Sequence, residues 1–297
     1  MSSKVSEKSV TLIAGPTASG KSALAMRRAV ERGGIVVNAD SMQVYRELRI
    51  LTARPAEADE AAIPHRLYGF RGAAEPYSVA EWLNDVTPLI AAAREGGPPL
   101  VIVGGTGLYF KALLEGLSPV PAIPDDIRDR WRTEAAATGS AALHGILRER
   151  DPAMAARLAP SDPQRIVRAL EVLEATGRSL LDWQQVQGEA PLSETEADML
   201  YVSPPRETLY ARCDARLDQM LDAGALEEVR HLAAQGFDPV LPAMRALGVR
   251  PLVAYLRGLL ALDAAVEEAK TETRHYAKRQ LSWAKRNMIA WRKIITQ

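Results

Sequence analysis

The stretch Val10-Thr-Leu-Ile-Ala-Gly15-Pro-Thr-Ala-Ser-Gly20-Lys21-Ser22 decides the fold. Its first five residues form a short apolar run, which is typical of a buried parallel strand. The remainder fits the pattern G-x-x-x-x-G-K-[ST] at every fixed position, and residues 22–32 predict a helix directly after it. In such a loop, backbone N–H groups and the start of the helix converge on phosphate oxygens. A chance glycine-rich turn is the alternative, which the strand before the loop and the helix after it disfavour.

This loop supplies the first group of candidate site residues. Lys21 is expected to reach a terminal phosphate, and the Ser22 hydroxyl is expected to bind Mg²⁺. The predicted phosphate-binding residues are Gly15, Pro16, Thr17, Ala18, Ser19, Gly20, Lys21 and Ser22.

Strands and helices alternate around this loop. Ile35-Val-Val-Asn38 and Leu100-Val-Ile-Val103 read as further strands, with helical spacing over residues 79–95 between them. This alternation predicts an α/β fold, a P-loop-type parallel sheet flanked by helices. Residues 118–198 read as successive helices, so we expect a helical insertion between two parts of the core, residues 1–117 and 199–297. Long helices are predicted over residues 207–235 and 262–291.

Composition excludes several classes of protein. The chain has 297 residues, and its 37 Lys and Arg balance its 37 Asp and Glu, so the total charge gives no sign of a nucleic-acid partner. A single cysteine, Cys213, excludes an internal disulfide and a multi-cysteine zinc site. The first nine residues lack the apolar segment of a signal peptide, and no run is long enough for a membrane span. We therefore expect a cytoplasmic protein, and a monomer, because no apolar patch demands a partner.

Asp40 follows the second predicted strand by two residues, in Asn38-Ala-Asp-Ser-Met-Gln-Val-Tyr45. The carboxyl ends of strands in an open α/β sheet surround the ligand crevice, so Asp40 is expected near the phosphate loop. A carboxylate there can act as a general base or as a metal partner. Position alone equally favours a capping role, since Asp40-Ser41 suits the start of a turn.

Further segments each leave two interpretations open. Gly104-Gly-Thr-Gly107 after the third strand is a second ligand loop or a bend into the next helix. Gln164-Arg-Ile-Val-Arg168 and the basic residues of 271–297 suit an RNA backbone or an ordinary solvated surface. Arg212 and Arg216, spaced i,i+4, hold an anion between them or pair with Asp214 and Asp218. The third strand lacks the final Asp with which an NTPase holds its Mg²⁺, which weakly disfavours NTP hydrolysis.

Taken in order along nearly the whole chain, these segments resemble the tRNA dimethylallyltransferase family. The matching segments are Gly15-Pro-Thr-Ala-Ser-Gly-Lys-Ser22, Asn38-Ala-Asp-Ser-Met-Gln-Val-Tyr45, Thr52-Ala-Arg-Pro55, Val103-Gly-Gly-Thr-Gly-Leu-Tyr109, Arg165-Ile-Val-Arg-Ala-Leu-Glu-Val172 and Tyr276-Ala-Lys-Arg-Gln280. Each segment is modest alone, but six in register are specific. The sequence departs from the family pattern at Leu51, Arg66, Val249 and Ala284.

The resemblance implies the reaction and the residues that perform it. The reaction expected is transfer of a dimethylallyl group from dimethylallyl diphosphate to the N6 amine of the adenosine 3′-adjacent to the anticodon, within the anticodon stem-loop of tRNA. Asp40 is implied as the base, Thr17 as a contact to the bridging oxygen, Arg216 as a stabiliser of the leaving group, and Mg²⁺ as the cofactor. The implied tRNA contacts are Asp40, Ser41, Met42, Gln43, Thr106, Arg128, Gln164, Arg165, Ile166, Val167, Arg168, Arg245, Arg250, Lys278, Arg279, Gln280, Trp283 and Lys285.

Three other functions compete with this one. A P-loop small-molecule kinase would need ATP, for which the sequence offers no convincing adenine site. A prenyltransferase of free adenine nucleotides would leave the insertion and the basic C-terminal helix without a purpose. A non-catalytic RNA-binding protein is disfavoured by the intact Lys21, Ser22 and Asp40.

Overall fold

Parallel strands form one six-stranded sheet in the computed structural model, which describes residues 8–296. The strands are β1 (Val10–Ala14), β2 (Ile35–Asn38), β3 (His65–Arg66), β4 (Leu100–Gly104), β5 (Ala197–Val202) and β6 (Arg292–Ile294). Their order across the sheet is β3-β2-β4-β1-β5-β6, and every pair is parallel. The predicted α/β fold with a parallel sheet is confirmed.

The central strand β1 lies between β4 and β5, with Ala14 paired to Gly104 on one side and to Tyr201 on the other. All five residues of β1 are buried, as are those of β4. Consecutive residues Leu12 and Ile13 belong to two separate core clusters, one on each face of the sheet. Because both faces are covered, the strands are continuous apolar runs with no polar alternation. The carboxyl ends of β1, β2 and β4 meet at one edge.

Helices account for most of the remaining chain. Those of the sheet-containing unit are α1 (Lys21–Arg32), α2 (Glu57–Ala62), α3 (Val79–Arg94), α4 (Gly107–Glu115), α10 (Arg206–Asp222), α11 (Ala225–Ala234), α12 (Val249–Leu256) and α13 (Leu262–Asn287). The helices that follow α4 and precede α10 are α5 (Asp125–Thr138), α6 (Ser140–Arg150), α7 (Pro152–Ala155), α8 (Pro163–Thr176) and α9 (Leu180–Trp183). None of the helices in residues 8–296 combines the length and the apolar character that crossing a membrane requires.

The second group of helices forms a compact unit of its own, Glu115–Ala190. Its core contains Trp131, Leu143, Leu147 and Leu170. The Asp162 side chain accepts a hydrogen bond from the Arg165 N–H and so caps α8. The sequence predicts insertion bounds of 118–198, whereas the compact unit ends at Ala190 and β5 begins at Ala197.

Several elements differ from their predicted form. The single helix predicted over residues 207–235 is wrong, because Gly224 takes a left-handed conformation with φ 101° and separates α10 from α11. The helix predicted over residues 262–291 ends at Asn287. The chain then returns to the sheet as β6, which pairs with β5 and which the sequence did not predict. The short β3 was also missed. Most of the N-terminal segment used for the targeting prediction lies outside the described residues.

One carboxylate holds the loop after Asp40 against α11. The Glu228 side chain accepts hydrogen bonds from three consecutive backbone N–H groups, those of Arg49, Ile50 and Leu51, at 2.7, 2.7 and 2.9 Å. A half-buried carboxylate that satisfies three donors holds the chain more firmly than a neutral acceptor would. The loop that carries Thr52-Ala-Arg-Pro55 therefore depends on Glu228.

Replacement of Glu228 by alanine is expected to destabilise the protein. Three partly buried N–H groups lose their acceptor, which costs about 2 kcal/mol and lowers Tm by roughly 4–8 °C. Glu227→Ala is the matched control, because the neighbouring Glu227 is exposed and its ion pairs are with Arg230 and His231 of the same helix. Differential scanning calorimetry of both variants checks this, and an equal fall in Tm for the two would contradict the assigned role.

Candidate active site

The phosphate loop, residues 15–22, joins the end of β1 to the start of α1. Gly20 has φ 87° and Ala18 has φ 60°, so the loop turns through left-handed backbone conformations. A side chain at Gly15 would come within 2.8 Å of the Val202 carbonyl oxygen, so only glycine fits there. The loop thus keeps the conformation in which N–H groups at the start of a helix bind phosphate.

Basic side chains lie on one side of this loop. A cavity of about 370 Å³ is lined by Ala18, Ser19, Gly20, Lys21, Ser22, Arg212, Ala215, Arg216 and Gln219. Helix α10 contributes both arginines, which lie one turn apart. Of the two alternatives left open for Arg216, the structure disfavours pairing with Asp214 and Asp218, because Asp214 pairs with Arg274 and Asp218 with Lys270 of α13. Arg216 is therefore available to an anion in the cavity.

Burial lowers the pKa values of Lys21 and Arg216. Desolvation lowers the pKa of Lys21 to about 8; Asp40 opposes this shift, and Arg216 adds to it. The pKa of Arg216 is also lowered by desolvation and raised by Asp40. Both groups lose hydration that a bound anion would replace. Burial raises the pKa of the adjacent Cys213 to about 11, so its thiol stays neutral and is a poor nucleophile.

Asp40 is fixed by a closed turn built on Asn38. The Asn38 side chain accepts from the Asp40 N–H at 2.8 Å and donates to the Asp40 carbonyl at 2.9 Å. The indole of Trp82 donates to the Asn38 carbonyl at 2.8 Å. Asp40 Oδ1 accepts from the Met42 N–H at 2.9 Å, so one carboxylate oxygen caps a turn, while Oδ2 lies on the side of Gly105. The capping and catalytic interpretations of Asp40 are thus compatible.

The glycine turn after β4 approaches Asp40 closely. Gly104 packs directly on the carbonyl of Ala39, where no side chain could be accommodated. A Cβ atom on Gly105 would lie 3.5 Å from Asp40 Oδ2. The Thr106 hydroxyl accepts from the Ser41 N–H at 3.0 Å. This turn is therefore part of the site. Its glycines make room for the side chains of Gln280 and Trp283, and a further space lies beside them.

That space is a second, mainly apolar cavity of about 230 Å³. It reaches from the phosphate loop to α13. The residues that line it are Ala14, Gly15, Gly104, Gly105, Thr106, Gly107, Leu108, Phe110, Tyr201, Tyr276, Arg279, Gln280, Trp283, Ala284 and Met288. A cationic cavity and an apolar one thus adjoin the same loop, and they suit a ligand with an anionic end and a hydrocarbon end.

The sequence missed two residues of this site. Asn38 shapes the Asp40 turn; in the sequence it stands at the end of a predicted strand and opens a segment that resembles the family. Tyr276 lines the apolar cavity, and its pKa is raised by desolvation and by Asp40. Tyr276 lies four residues before Gln280, so helical spacing put both on one face of α13.

The predicted site residues fall into distinct places. The phosphate loop, Asp40–Gln43, Thr106, Arg216, Gln280 and Trp283 lie in the sheet-containing unit. The Gln43 amide donates to the carbonyls of Thr52 and Ala53, both at 2.9 Å, so it also holds the following loop. Among the predicted tRNA contacts in this unit, those with exposed side chains are Arg245, Arg250, Lys278, Arg279 and Lys285.

The helical unit carries the remaining predicted tRNA contacts. Gln164 and Arg165 are exposed, and Arg128, Val167 and Arg168 are half-buried. Ile166 is an incorrect assignment, because its side chain is 0% exposed and packs in the core of this unit. A side chain without accessible surface cannot contact a nucleic acid.

The fold and the two cavities define a P-loop α/β protein. The family model described as IPP transferase matches residues 43–287, and that described as isopentenyl transferase matches residues 8–71. A tRNA dimethylallyltransferase of Bradyrhizobium sp. (strain ORS 278) is 53% identical over 279 residues, covering 94% of this chain and 91% of that protein. One from Parvibaculum lavamentivorans is 52% identical over 286 residues, covering 96% and 90%.

Solved structures agree with these relatives. The tRNA isopentenylpyrophosphate transferase of Bacillus halodurans is 32% identical with a TM-score of 0.68, covering 96% of this chain and 89% of that one. A eukaryotic dimethylallyltransferase acting on tRNA is 27% identical with a TM-score of 0.82, covering 96% and 73%. The chain belongs to the IPP transferase family, and its resemblance to the tRNA dimethylallyltransferases is confirmed.

The pKa of about 8 for Lys21 predicts pH-dependent anion binding. The ammonium form attracts a diphosphate and the neutral amine does not, so affinity is greatest below this pKa. Above it, Kd for an alkyl diphosphate is expected to rise by up to about tenfold per pH unit. The ligand itself adds little to this change, because its terminal phosphate loses its last proton near a pKa of about 6.

Isothermal titration calorimetry from about pH 7 to about pH 9 measures this slope. Lys21→Arg is the control, because a guanidinium stays charged throughout and should flatten the dependence. An undiminished slope in Lys21→Arg would show that another group titrates.

Proposed function

We propose that this enzyme transfers a dimethylallyl group from dimethylallyl diphosphate to the N6 amine of the adenosine 3′-adjacent to the anticodon in tRNA and releases diphosphate. The observation that carries the proposal is the pair of cavities at the phosphate loop, one cationic and one apolar. Asp40 interacts electrostatically with Lys21 and Arg216 of the first and with Tyr276 of the second. An NTP would use the first cavity but leave the apolar one without a partner. The names of the relatives support tRNA as the acceptor.

Each residue has a defined part in this reaction. The N6 lone pair attacks C1 of the allyl group, the C1–O bond breaks, and its electrons leave with the diphosphate. Asp40 Oδ2 takes the proton from N6, which matters because an exocyclic amine is a poor nucleophile. Lys21 and Arg216 stabilise the negative charge that develops on the leaving group. We assign Thr17 as the contact to the bridging oxygen of the diphosphate.

The acceptor base must leave the loop stack to reach Asp40. Flipping a base costs a few kcal/mol, which contacts to the protein must offset. The exposed cations of α13, Lys278, Arg279 and Lys285, and the polar residues of α8 are suited to the tRNA backbone. We assign the anticodon stem-loop as the part of tRNA that is bound, with a monomeric, cytoplasmic enzyme.

Mg²⁺ fits this site as a partner of the diphosphate. The Ser22 hydroxyl lines the cationic cavity, and no cluster of three His, Cys, Asp or Glu in the described part of the chain could hold a metal alone. Mg²⁺ commonly takes one or two protein ligands together with phosphate oxygens and water. When bound, it would neutralise part of the diphosphate charge.

Asp40→Asn tests the proposed base. Asparagine can still accept from the Met42 N–H, so the turn is kept while the proton acceptor is lost. Single-turnover prenylation of an unmodified tRNA with adenosine at that position is expected to slow by about 10²–10⁴-fold, with tRNA binding close to wild type. Mass spectrometry locates the added group.

The matched control for this test is Asp198→Asn, an exposed aspartate on β5, which should retain wild-type rates. Prenylation by wild type must also proceed without ATP. If wild type instead consumes ATP with a small acceptor, the proposal fails and a kinase takes its place.

Ser22→Ala is expected to raise the Mg²⁺ concentration needed for half-maximal prenylation without changing the site of transfer. Loss of one hydroxyl ligand weakens metal binding but leaves the phosphate oxygens in place. A Mg²⁺ titration of the prenylation rate measures the shift. An unchanged midpoint would remove Ser22 from the metal site.

A further inference from the structure

Gln280 of α13 joins the two loops of the site. Its Oε1 accepts from the Thr17 N–H at 2.9 Å, and its Nε2 donates to the Gly105 carbonyl at 2.9 Å. One amide therefore satisfies a donor in the phosphate loop and an acceptor in the glycine turn. Both polar ends of the side chain are used within the protein.

The surrounding packing fixes this amide in place. A side chain at Gly105 would overlap the Gln280 amide, and one at Gly107 would overlap the ring of Trp283. Gln280 and Trp283 lie on neighbouring positions of one helix face, so α13 contacts the glycine turn at two points. These contacts leave Gln280 little freedom to reach an external ligand.

The position of the bridge links it to donor binding. Thr17 belongs to the loop that would hold the diphosphate, and Gly105 lies beside Asp40 Oδ2. The Thr17 N–H is directed to Gln280 and the Ser19 N–H to the Pro16 carbonyl at 3.3 Å, so internal hydrogen bonds fix this part of the loop. Loss of the bridge would let the loop and the glycine turn move independently.

We infer that Gln280 is a positioning residue, which holds the phosphate loop in its diphosphate-binding conformation and does not contact tRNA. Gln280 thereby differs from the exposed Lys278, Arg279 and Lys285 of the same helix. The inference rests on the proposed function for its substrate, but diphosphate binding can be measured without any turnover.

Gln280→Met tests this directly, since methionine has a similar length but no hydrogen-bonding amide. Loss of two hydrogen bonds in the loop support is expected to weaken binding of inorganic diphosphate with Mg²⁺ by about tenfold. The KM for dimethylallyl diphosphate should rise by a similar factor. The Kd for an anticodon stem-loop RNA, measured without donor, should stay at the wild-type value.

A second variant keeps the test decisive if Gln280→Met folds poorly. In Gln280→Glu the carboxylate still accepts from Thr17 but faces the Gly105 carbonyl and the donor's negative charge, so diphosphate binding should weaken further. His275→Ala is the control on the same helix, because His275 is exposed and outside the site. It should match wild type in every measurement.

The outcomes separate the alternatives. Normal diphosphate binding with weakened RNA binding would overturn the inference and make Gln280 a tRNA contact. Equal weakening of both ligands with a large fall in Tm in both variants would overturn it in favour of a general structural role. If wild type binds diphosphate but prenylates no tRNA, the proposed function fails, while the diphosphate measurements still decide the role of Gln280.

Discussion

Partial desolvation of Lys21 and Arg216 around the phosphate loop is the constraint on which the site depends. Two cations that have lost water face a single carboxylate, Asp40, and desolvation is the largest cause of the lowered pKa of each. Removing charge from water is costly unless an opposite charge replaces the lost hydration. The ion pairs of α10 with α13 do not supply it, because they use Asp214 and Asp218. A polyanionic ligand completes the site electrostatically.

Asp40 can serve such a ligand only because its backbone is held independently of it. Asn38 closes the turn through three side-chain hydrogen bonds, two to Asp40 and one to the Leu67 carbonyl at 3.0 Å. Asn38 is itself fully buried, and the Trp82 indole holds its carbonyl. A buried, fully hydrogen-bonded side chain loses little freedom on ligand binding. The buried residues of the sheet thus hold the carboxylate in place before a ligand binds. Its position does not depend on contacts with Lys21 or Arg216.

Sequence patterns predicted those parts of the site whose residues are adjacent in the chain. The apolar run of β1, the loop and α1 are adjacent in sequence, so their fold and phosphate-binding character were readable together. Gln280 lies 263 residues from Thr17, and a hydrogen bond across that separation leaves no periodic signal. The short strand β6 was missed for a similar reason, since Arg292–Ile294 becomes a strand only by pairing with β5. Ile166 shares the apolar face of α8 with Leu170, and this spacing favours burial. The family resemblance nevertheless placed Ile166 among the tRNA contacts.

The glycine at the end of β4 explains why the chemistry departs from that of an NTPase. An acid at that position would hold a metal near the phosphates, but Gly104 packs on the Ala39 carbonyl, where no side chain fits. The following Gly105 and Gly107 admit Gln280 and Trp283 from α13, and the space between becomes apolar. In the proposed reaction the allylic carbon develops positive charge, and water would compete with the amine for it. Phe110, Trp283 and Met288 line the cavity assigned to the hydrocarbon end, and Lys21, Arg212 and Arg216 line the one assigned to the diphosphate. In the proposed reaction the apolar lining limits the access of water to the allylic carbon and favours transfer to the nucleic acid over hydrolysis of the donor.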